Sequence, residues 1–212
     1  MDFDIQKLAI NALPVIFAIT LHEAAHGYVA RHFGDQTAWR LGRVTANPLK
    51  HIDPVGTIVV PLILLLFHGP VFGWAKPVPV DFGKLRHPKR DMLWVAAAGP
   101  GANFAMVLFW GAWIKLAAVM PDHAYTLAMK EMGLAGTYWN AMLMVLNLLP
   151  IPPLDGGRIT FSLLPTRMAW KYAQIEPYGL VILLALLFTG MLDFLFLPIS
   201  LLQLLVKSLF GL

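Results

Sequence analysis

Three ionisable residues lie within five positions of an otherwise apolar segment, in the run His22-Glu23-Ala24-Ala25-His26. At 3.6 residues per turn, positions i and i+4 of a helix share one face, so His22 and His26 can offer two imidazole nitrogens to one Zn²⁺. Glu23 adjoins the first histidine and can act as general base toward a water molecule whose pKa the zinc lowers to about 7. The spacing therefore predicts a hydrolytic zinc site.

The surroundings of this pattern decide between a chemical and a structural interpretation. On a soluble helix, two histidines and a glutamate at this spacing can simply face water. Inside a membrane helix no water solvates them, and ionisable groups there are costly unless they serve a function or bond to neighbouring helices. We therefore favour the zinc site and keep a structural polar cluster as the alternative.

A catalytic zinc site needs a third protein ligand, and several downstream candidates are poorly placed. His32 follows His22 by ten residues, but Val29 occupies the position where a turn-forming glycine is required. A straight helix carries His32 about 15 Å along its axis. The downstream glutamates, Glu131 and Glu176, lie at predicted span ends or in loops. We therefore exclude both a third histidine and a glutamate.

Asp155 ends an uncharged stretch of 23 residues and is followed by two glycines. Three prolines, at positions 150, 152 and 153, precede it and cannot all continue a helix. Backbone that unwinds at membrane depth is tolerated in a protein-lined or water-filled cavity. The His22–His26 pair and Asp155 both lie toward the inner ends of predicted spans, so we predict Asp155 as the third ligand. The alternative is an ordinary carboxylate at the end of a span.

The composition of the chain is that of a membrane protein. Hydrophobic residues make up 58% of its 212 positions and charged residues 13%, against about 25% charged residues in soluble domains. Such a low charge density cannot coat a water-facing surface, so we expect a lipid bilayer around the chain and no nucleic-acid partner. The absence of cysteine excludes disulfides, thiolate metal sites and thiol nucleophiles.

We predict an all-α polytopic membrane protein with one membrane-embedded domain over residues 1–212. The pattern shows no signal peptide, no internal repeat and no soluble domain. Three core transmembrane helices that carry the zinc site are predicted at about 8–33, 92–118 and 132–154. A C-terminal helical hairpin is predicted at 177–210.

The segment 54–72 is ambiguous, because its apolar part, Pro54–Phe67, has only 14 residues and suits a re-entrant segment better than a full span. Nine of the 16 Lys and Arg lie between Arg31 and Arg90, on both sides of it. They share one side of the membrane only if the segment re-enters. The positive-inside rule then places residues 31–91 in the cytoplasm. We favour re-entry, keep an additional span as the alternative, and expect the site nearer the cytoplasmic face of the cell membrane.

Three motifs resemble those of the site-2 protease family of intramembrane zinc metallopeptidases. His22–His26 matches the family's HExxH, Gly99–Asn103 its Gly-Pro-x-x-Asn segment, and Asn147–Gly156 its Asn-x-x-Pro-x-x-x-x-Asp-Gly element. The matches cover about residues 15–160 and occur in the order typical of the family.

The resemblance implies one zinc ion per chain, held by three side chains, those of His22, His26 and Asp155. It implies Glu23 as the catalytic acid/base. It places Asn147 near the substrate backbone and Asn103 in a segment that packs helices and lines the active site. We predict both asparagines as substrate-binding residues, with packing or capping inside the bundle as the alternative for Asn147.

The resemblance also implies a membrane-spanning protein helix as the substrate. The gap Lys115–Glu131 has no room for a PDZ domain, and we expect no CBS domain, which makes this chain a minimal member. The proline-rich stretch Gly73–Val80 favours extended backbone. Such a stretch beside the zinc could take up an unwound substrate by strand addition, and an ordinary proline-rich loop is the alternative.

Two other functions compete with proteolysis. Intramembrane histidines and aspartates also line ion paths, so a zinc or proton-coupled transporter is the alternative function. Transporters usually have two halves with paired broken helices, whereas this sequence has no internal repeat and one broken helix. A catalytically inactive scaffold would not need a general base such as Glu23 beside its ligands. We therefore predict an intramembrane zinc metalloprotease.

Overall fold

The computed structural model describes residues 5–67 and 73–212, with the backbone alone for residues 5–9. Every regular element within these ranges is helical. Among the described residues, three helical stretches are long and apolar enough to cross a membrane, namely Pro88–Val119, Thr166–Phe188 and Asp193–Phe210. The predicted all-α class and the membrane character are thus confirmed, and the chain is an integral membrane protein.

The α-helices follow one another in the order α1 (Ile5–His32), α2 (Thr37–Arg40), α3 (Val60–Leu66), α4 (Pro88–Val119), α5 (Ala124–Asn147), α6 (Asp155–Leu163), α7 (Thr166–Ala173), α8 (Gly179–Phe188) and α9 (Phe196–Phe210). Helices α1, α4 and α5 pack against one another and form the core of the bundle. They contain 28, 32 and 24 residues, and at about 1.5 Å per residue each is longer than a hydrocarbon layer of about 30 Å.

Small residues bring α5 close to α4. Helices in lipid gain little from hydrophobic burial against each other, so close contact depends on glycine and other small side chains. A Cβ atom at Gly136 would lie 2.3 Å from Cδ2 of Trp110, and one at Gly133 would lie 2.4 Å from Cγ1 of Ile114. Both glycines are therefore needed where these two helices meet.

The third core helix differs from the predicted span in its bounds. The sequence predicts a span at 132–154, whereas α5 covers 124–147 and ends before the three prolines. The chain then turns through residues 148–154, and α6 begins at Asp155. The predicted hairpin at 177–210 corresponds to α8 and α9, which are separated by a turn with Gly190 at a φ of 71°. Helix α9 packs against α4 and α5.

The described part of the ambiguous segment, residues 54–67, forms a short helix, and residues 68–72 lie outside the described residues. Pro54–Val59 winds as six residues of π-helix and continues as the seven residues of α3, which rise about 20 Å together and so fall short of the hydrocarbon layer. The chain then returns to the start of this helix. The Trp74 N–H donates to the Gly56 carbonyl at 3.0 Å, and Thr57 Oγ1 donates to the Trp74 carbonyl at 2.9 Å. We propose on this ground that the segment re-enters the membrane.

Cysteine accessibility tests this arrangement, because the chain has no cysteine of its own. Cysteines placed at Lys50 and Lys84 should both be protected from an impermeant thiol reagent in intact cells, since the segment between them enters and leaves through one face. A cysteine at Asp122, in the exposed turn at the other end of α4, is the matched control and should be labelled. Labelling at only one of the two lysine positions would show that Pro54–Phe67 spans.

Candidate functional site

Three side chains from distant parts of the sequence meet inside the bundle. His22 Nε2 lies 3.1 Å from Asp155 Oδ2, and His26 Nε2 lies 3.3 Å from Asp155 Oδ1. The two Nε2 atoms are 3.1 Å apart, and all three residues are buried. The candidate ligand atoms lie within 4.8 Å of one another, so the group could hold a single metal ion.

The fold brings Asp155 to the histidines by reversing the chain after α5. Asp155 is in the first turn of α6, which packs against α4. The glycine that follows allows the reversal, because a Cβ atom at Gly156 would lie 2.3 Å from the carbonyl oxygens of Leu148 and Leu149. The aspartate therefore reaches the site through close backbone contact that only glycine permits.

Gly99 of α4 provides the space in which the two imidazoles lie. A Cβ atom at this position would be 2.5 Å from His22 Cε1, 2.5 Å from His26 Nε2 and 2.6 Å from His22 Nε2. Those atoms belong to rings that are held at their other nitrogens, so they have little freedom to move away. Any side chain at position 99 would overlap the site.

The outer nitrogens of both imidazoles donate hydrogen bonds to oxygen atoms. His22 Nδ1 donates to Asn103 Oδ1 at 2.6 Å, and His26 Nδ1 donates to the Val95 carbonyl at 2.7 Å. Because Nδ1 carries the proton, each Nε2 directs its lone pair into the site.

The facing lone pairs show that a cation fits this group. When both imidazoles are neutral, their unprotonated Nε2 atoms, 3.1 Å apart, cannot hydrogen-bond to each other, and the described residues then offer the buried Oδ2 of Asp155 no hydrogen-bond donor. A cation satisfies all of these atoms at once. Two imidazoles and one carboxylate form the ligand set of a catalytic zinc site that keeps a position open.

An extended stretch, Gly73–Val80, lies across this part of the molecule, and we call it the proline strap. Arg43 Nη2 donates to the Lys76 carbonyl at 2.9 Å, which holds the strap at its middle. Just beyond its end, the Asp81 N–H donates to Oδ2 of the fully buried Asp35 at 2.7 Å. The strap is therefore clamped to the loop region that follows α1.

The candidate general base contacts the proline strap. The Val78 N–H donates to Oε2 of Glu23 at 2.7 Å. Pro77 and Pro79 on either side have no N–H, so Val78 supplies the only backbone donor of this tripeptide. Glu23, next in the chain to His22, is thus held by a backbone amide on the strap.

Asn103 is buried inside the bundle and bonds to neighbouring helices. Its side chain is fully buried behind His22, and Oδ1 accepts from the imidazole of His22. Its Nδ2 donates to the Ala18 carbonyl at 3.3 Å and to Asn140 Oδ1 at 3.0 Å. Both amide hydrogens thus bond within the bundle, and these contacts are those of a residue that positions His22; a contact with substrate stays a prediction.

Asn147 lies at the end of α5, just before the turn that leads to Asp155. Its Nδ2 donates to the Leu143 carbonyl, one helical turn earlier, at 3.0 Å. Such a bond fits the alternative given above for Asn147, namely packing or capping inside the bundle. Its role toward a substrate stays a prediction.

Asn140 of α5 belongs to the same polar group, and the sequence analysis missed it. It is fully buried and lies between Asn103 and the Gly136 carbonyl. The signal was present in the sequence, because an asparagine in the middle of an apolar span needs a polar partner on a neighbouring helix.

Comparisons with known proteins find one matching family and related proteins. Residues 111–190 match the family described as Peptidase family M50. The Bacillus subtilis protein named "Putative zinc metalloprotease YwhC" is 40% identical over 185 residues, which cover 84% of this chain and 79% of that protein. The Mycolicibacterium smegmatis protein named "Putative zinc metalloprotease Rip2" is 31% identical over 180 residues, or 84% of this chain and 66% of that protein. No solved structure matches the chain.

Two alanine substitutions in one segment test the role of Gly99. Gly99→Ala should lower zinc affinity by at least about tenfold, the range found when groups that orient metal ligands are changed, because its Cβ atom would overlap both imidazoles. Gly101→Ala is the matched control, since nothing lies within 4 Å of a Cβ atom there, and it should bind zinc like the wild type. Equal zinc affinity of the two variants, measured by chelator competition, would contradict this account.

Proposed function

This chain belongs to peptidase family M50 and is a zinc metalloprotease, and we propose that it hydrolyses peptide bonds in or near the transmembrane helices of other membrane proteins. The observation that carries the proposal is a buried His-His-Asp group inside a bundle of apolar helices. In this proposal the peptide bonds of a membrane-embedded substrate reach the site from within the bilayer.

Each residue of the site has a separate role in this proposal. His22, His26 and Asp155 hold one zinc ion, which when bound would supply Lewis acidity toward a peptide carbonyl and lower the pKa of water. Glu23 takes a proton from the attacking water and returns it to the leaving amine. The Val78 N–H keeps one oxygen of the Glu23 carboxylate in place during these transfers.

The substrate must be unwound before it can be cut. A peptide bond in a helix is shielded, and its polar groups are already paired within the segment. The proline strap, Gly73–Val80, is extended and adjoins Glu23, so we propose that an unwound substrate adds to it as a strand. Asn147 offers both a donor and an acceptor to substrate backbone groups that have lost their helical partners.

We propose the cell membrane as the location of the protein, with the site nearer the cytoplasmic face. This location is supported by the nine Lys and Arg residues between Arg31 and Arg90. They all lie on one side of the membrane if the short helix at Pro54–Leu66 re-enters. Positive residues favour the cytoplasmic side. The single domain over residues 1–212 then carries the whole site.

The alternative of a zinc or proton-coupled transporter is not supported. The matching family is one of peptidases, and the relatives carry the names of zinc metalloproteases. We therefore do not retain transport as a second candidate function.

Two classes of variant separate metal binding from proton transfer. Wild-type protein should hold about one zinc per chain, and His22→Ala or Asp155→Ala should lose most of it. Glu23→Gln should retain zinc and lose about 10²–10⁴-fold in cleavage of a transmembrane peptide, because it removes the proton acceptor and keeps the size. The readouts are zinc content and cleavage, with a chelator-treated sample as control.

Either class can contradict the assignment. Full zinc retention in Asp155→Ala would mean that another residue is the third ligand. Cleavage by Glu23→Gln at a rate near that of the wild type would remove Glu23 from the mechanism.

Asn147→Leu tests the proposed contact with substrate. Leucine is close to asparagine in volume but cannot pair with an unwound backbone, so this variant should retain its fold and zinc while losing cleavage of a transmembrane substrate. The expected loss is about tenfold, as for one unpaired buried polar group of about 1–3 kcal/mol. Loss of zinc, or cleavage at the wild-type rate, would show that Asn147 does not bind substrate.

A further inference from the structure

A line of hydrogen bonds crosses all three core helices and ends at one imidazole of the site. His22 Nδ1 on α1 donates to Asn103 Oδ1 on α4 at 2.6 Å. Asn103 Nδ2 donates to Asn140 Oδ1 on α5 at 3.0 Å, and Asn140 Nδ2 donates to the Gly136 carbonyl at 2.9 Å. Both asparagines are fully buried.

Two backbone carbonyls fix the direction of this line. A carbonyl only accepts hydrogen bonds, so the Gly136 oxygen requires the NH₂ group of Asn140 and turns the Asn140 oxygen toward Asn103. The Ala18 carbonyl, 3.3 Å from Asn103 Nδ2, independently requires the same orientation of Asn103. Asn103 therefore presents an oxygen to His22, so the Nδ1 atom of His22 must be protonated in order to donate to it.

The direction of the line determines which nitrogen of His22 is available to a metal. A neutral imidazole has one N–H, so a proton held at Nδ1 leaves the lone pair at Nε2, the atom that faces His26 and Asp155. Reversing the line would set the Asn140 oxygen against the Gly136 carbonyl oxygen in a fully buried place, where two acceptors cannot pair. The packing of α5 thus favours the tautomer that can bind zinc.

We propose that Asn140 is a positioning residue of the zinc site, which acts through Asn103 to hold the tautomer and ring orientation of His22. This inference rests on the proposed function, in which His22 is a ligand. His26 needs no such line, because its Nδ1 donates directly to the Val95 carbonyl. The affinity for zinc therefore depends on a residue of α5 whose hydrogen bonds go to Asn103 and to the Gly136 carbonyl.

The close packing of α5 on α4 supports this role. Gly136, whose carbonyl ends the line, is also the glycine that lies against the Trp110 ring. Asn140 is one helical turn further along the same helix. The close contact between the two helices therefore also determines the distance between the Asn140 and Asn103 side chains. Helix α5 then leads through the turn at 148–154 to Asp155.

Asn140→Leu removes the acceptor and keeps the volume, and it tests the proposal in the purified full-length chain. Zinc affinity measured by chelator competition should fall by about tenfold, at the lower end of the range for residues behind metal ligands. In the zinc-free protein, ¹⁵N chemical shifts of His22 should show the Nδ1–H form in the wild type and a mixture of tautomers in the variant. Thr137→Val is the matched control on α5, because Thr137 Oγ1 donates to the Leu134 carbonyl, away from the line.

A double-mutant cycle shows whether Asn140 acts through Asn103. In an Asn103→Leu background, adding Asn140→Leu should cause no further loss of zinc affinity, because the line is already broken. If the leucine variant does not fold, Asn140→Ala removes the same acceptor without added bulk. A folded Asn140 variant with wild-type zinc affinity and unchanged His22 tautomer would overturn the proposal.

The failure of this inference is distinguishable from failure of the proposed function. His22→Ala with full zinc content would remove His22 as a ligand and so contradict the proposed site itself. Loss of zinc in His22→Ala, together with wild-type affinity in Asn140→Leu, would leave the site intact and refute the positioning role alone.

Discussion

The constraint on which this structure depends is the cost of keeping ionisable groups inside an apolar helix bundle. Buried imidazoles and a buried carboxylate are tolerated when each polar atom has a partner, and the structure supplies one for each outer nitrogen: Asn103 for His22 and the Val95 carbonyl for His26. The inner atoms are left facing one another: both Nε2 atoms lie within 3.3 Å of the Asp155 carboxylate. A bound cation completes the arrangement, so metal binding and helix packing stabilise each other.

Two irregular segments place polar groups at the site where straight helices could not place them. The turn between α5 and α6 brings a carboxylate back to α1, and the proline strap brings the Val78 amide to Glu23. Both segments contain prolines that prevent helix formation. Irregular backbone at membrane depth is tolerated where it is buried in protein or lines a cavity, and both segments contact residues of the His-His-Asp group or Glu23 beside it.

Glycine allows the close contacts from which this site is built. Gly99 leaves room for two imidazoles, Gly136 lets α5 approach α4, and Gly156 lets the chain reverse before α6. In lipid, where hydrophobic burial between helices contributes little, such contacts decide which helices meet. The same small residues that hold the bundle together therefore set the dimensions of the metal site.

Local patterns in the sequence identified the three side chains that meet in the structure, and only the tertiary structure decided what surrounds them. The spacing of His22 and His26 follows from helical periodicity, and the prolines before Asp155 follow from backbone chemistry, so both could be predicted without knowing the fold. The bounds of the third core span were less predictable, because an apolar run continues past Asn147 although its prolines end the helix. The placement of Asn103 behind His22, the role of Asn140 and the bond from Val78 to Glu23 depend on which helix faces which. That pairing arises from side-chain fit between elements far apart in the chain, so it cannot be predicted from the periodicity of any one segment.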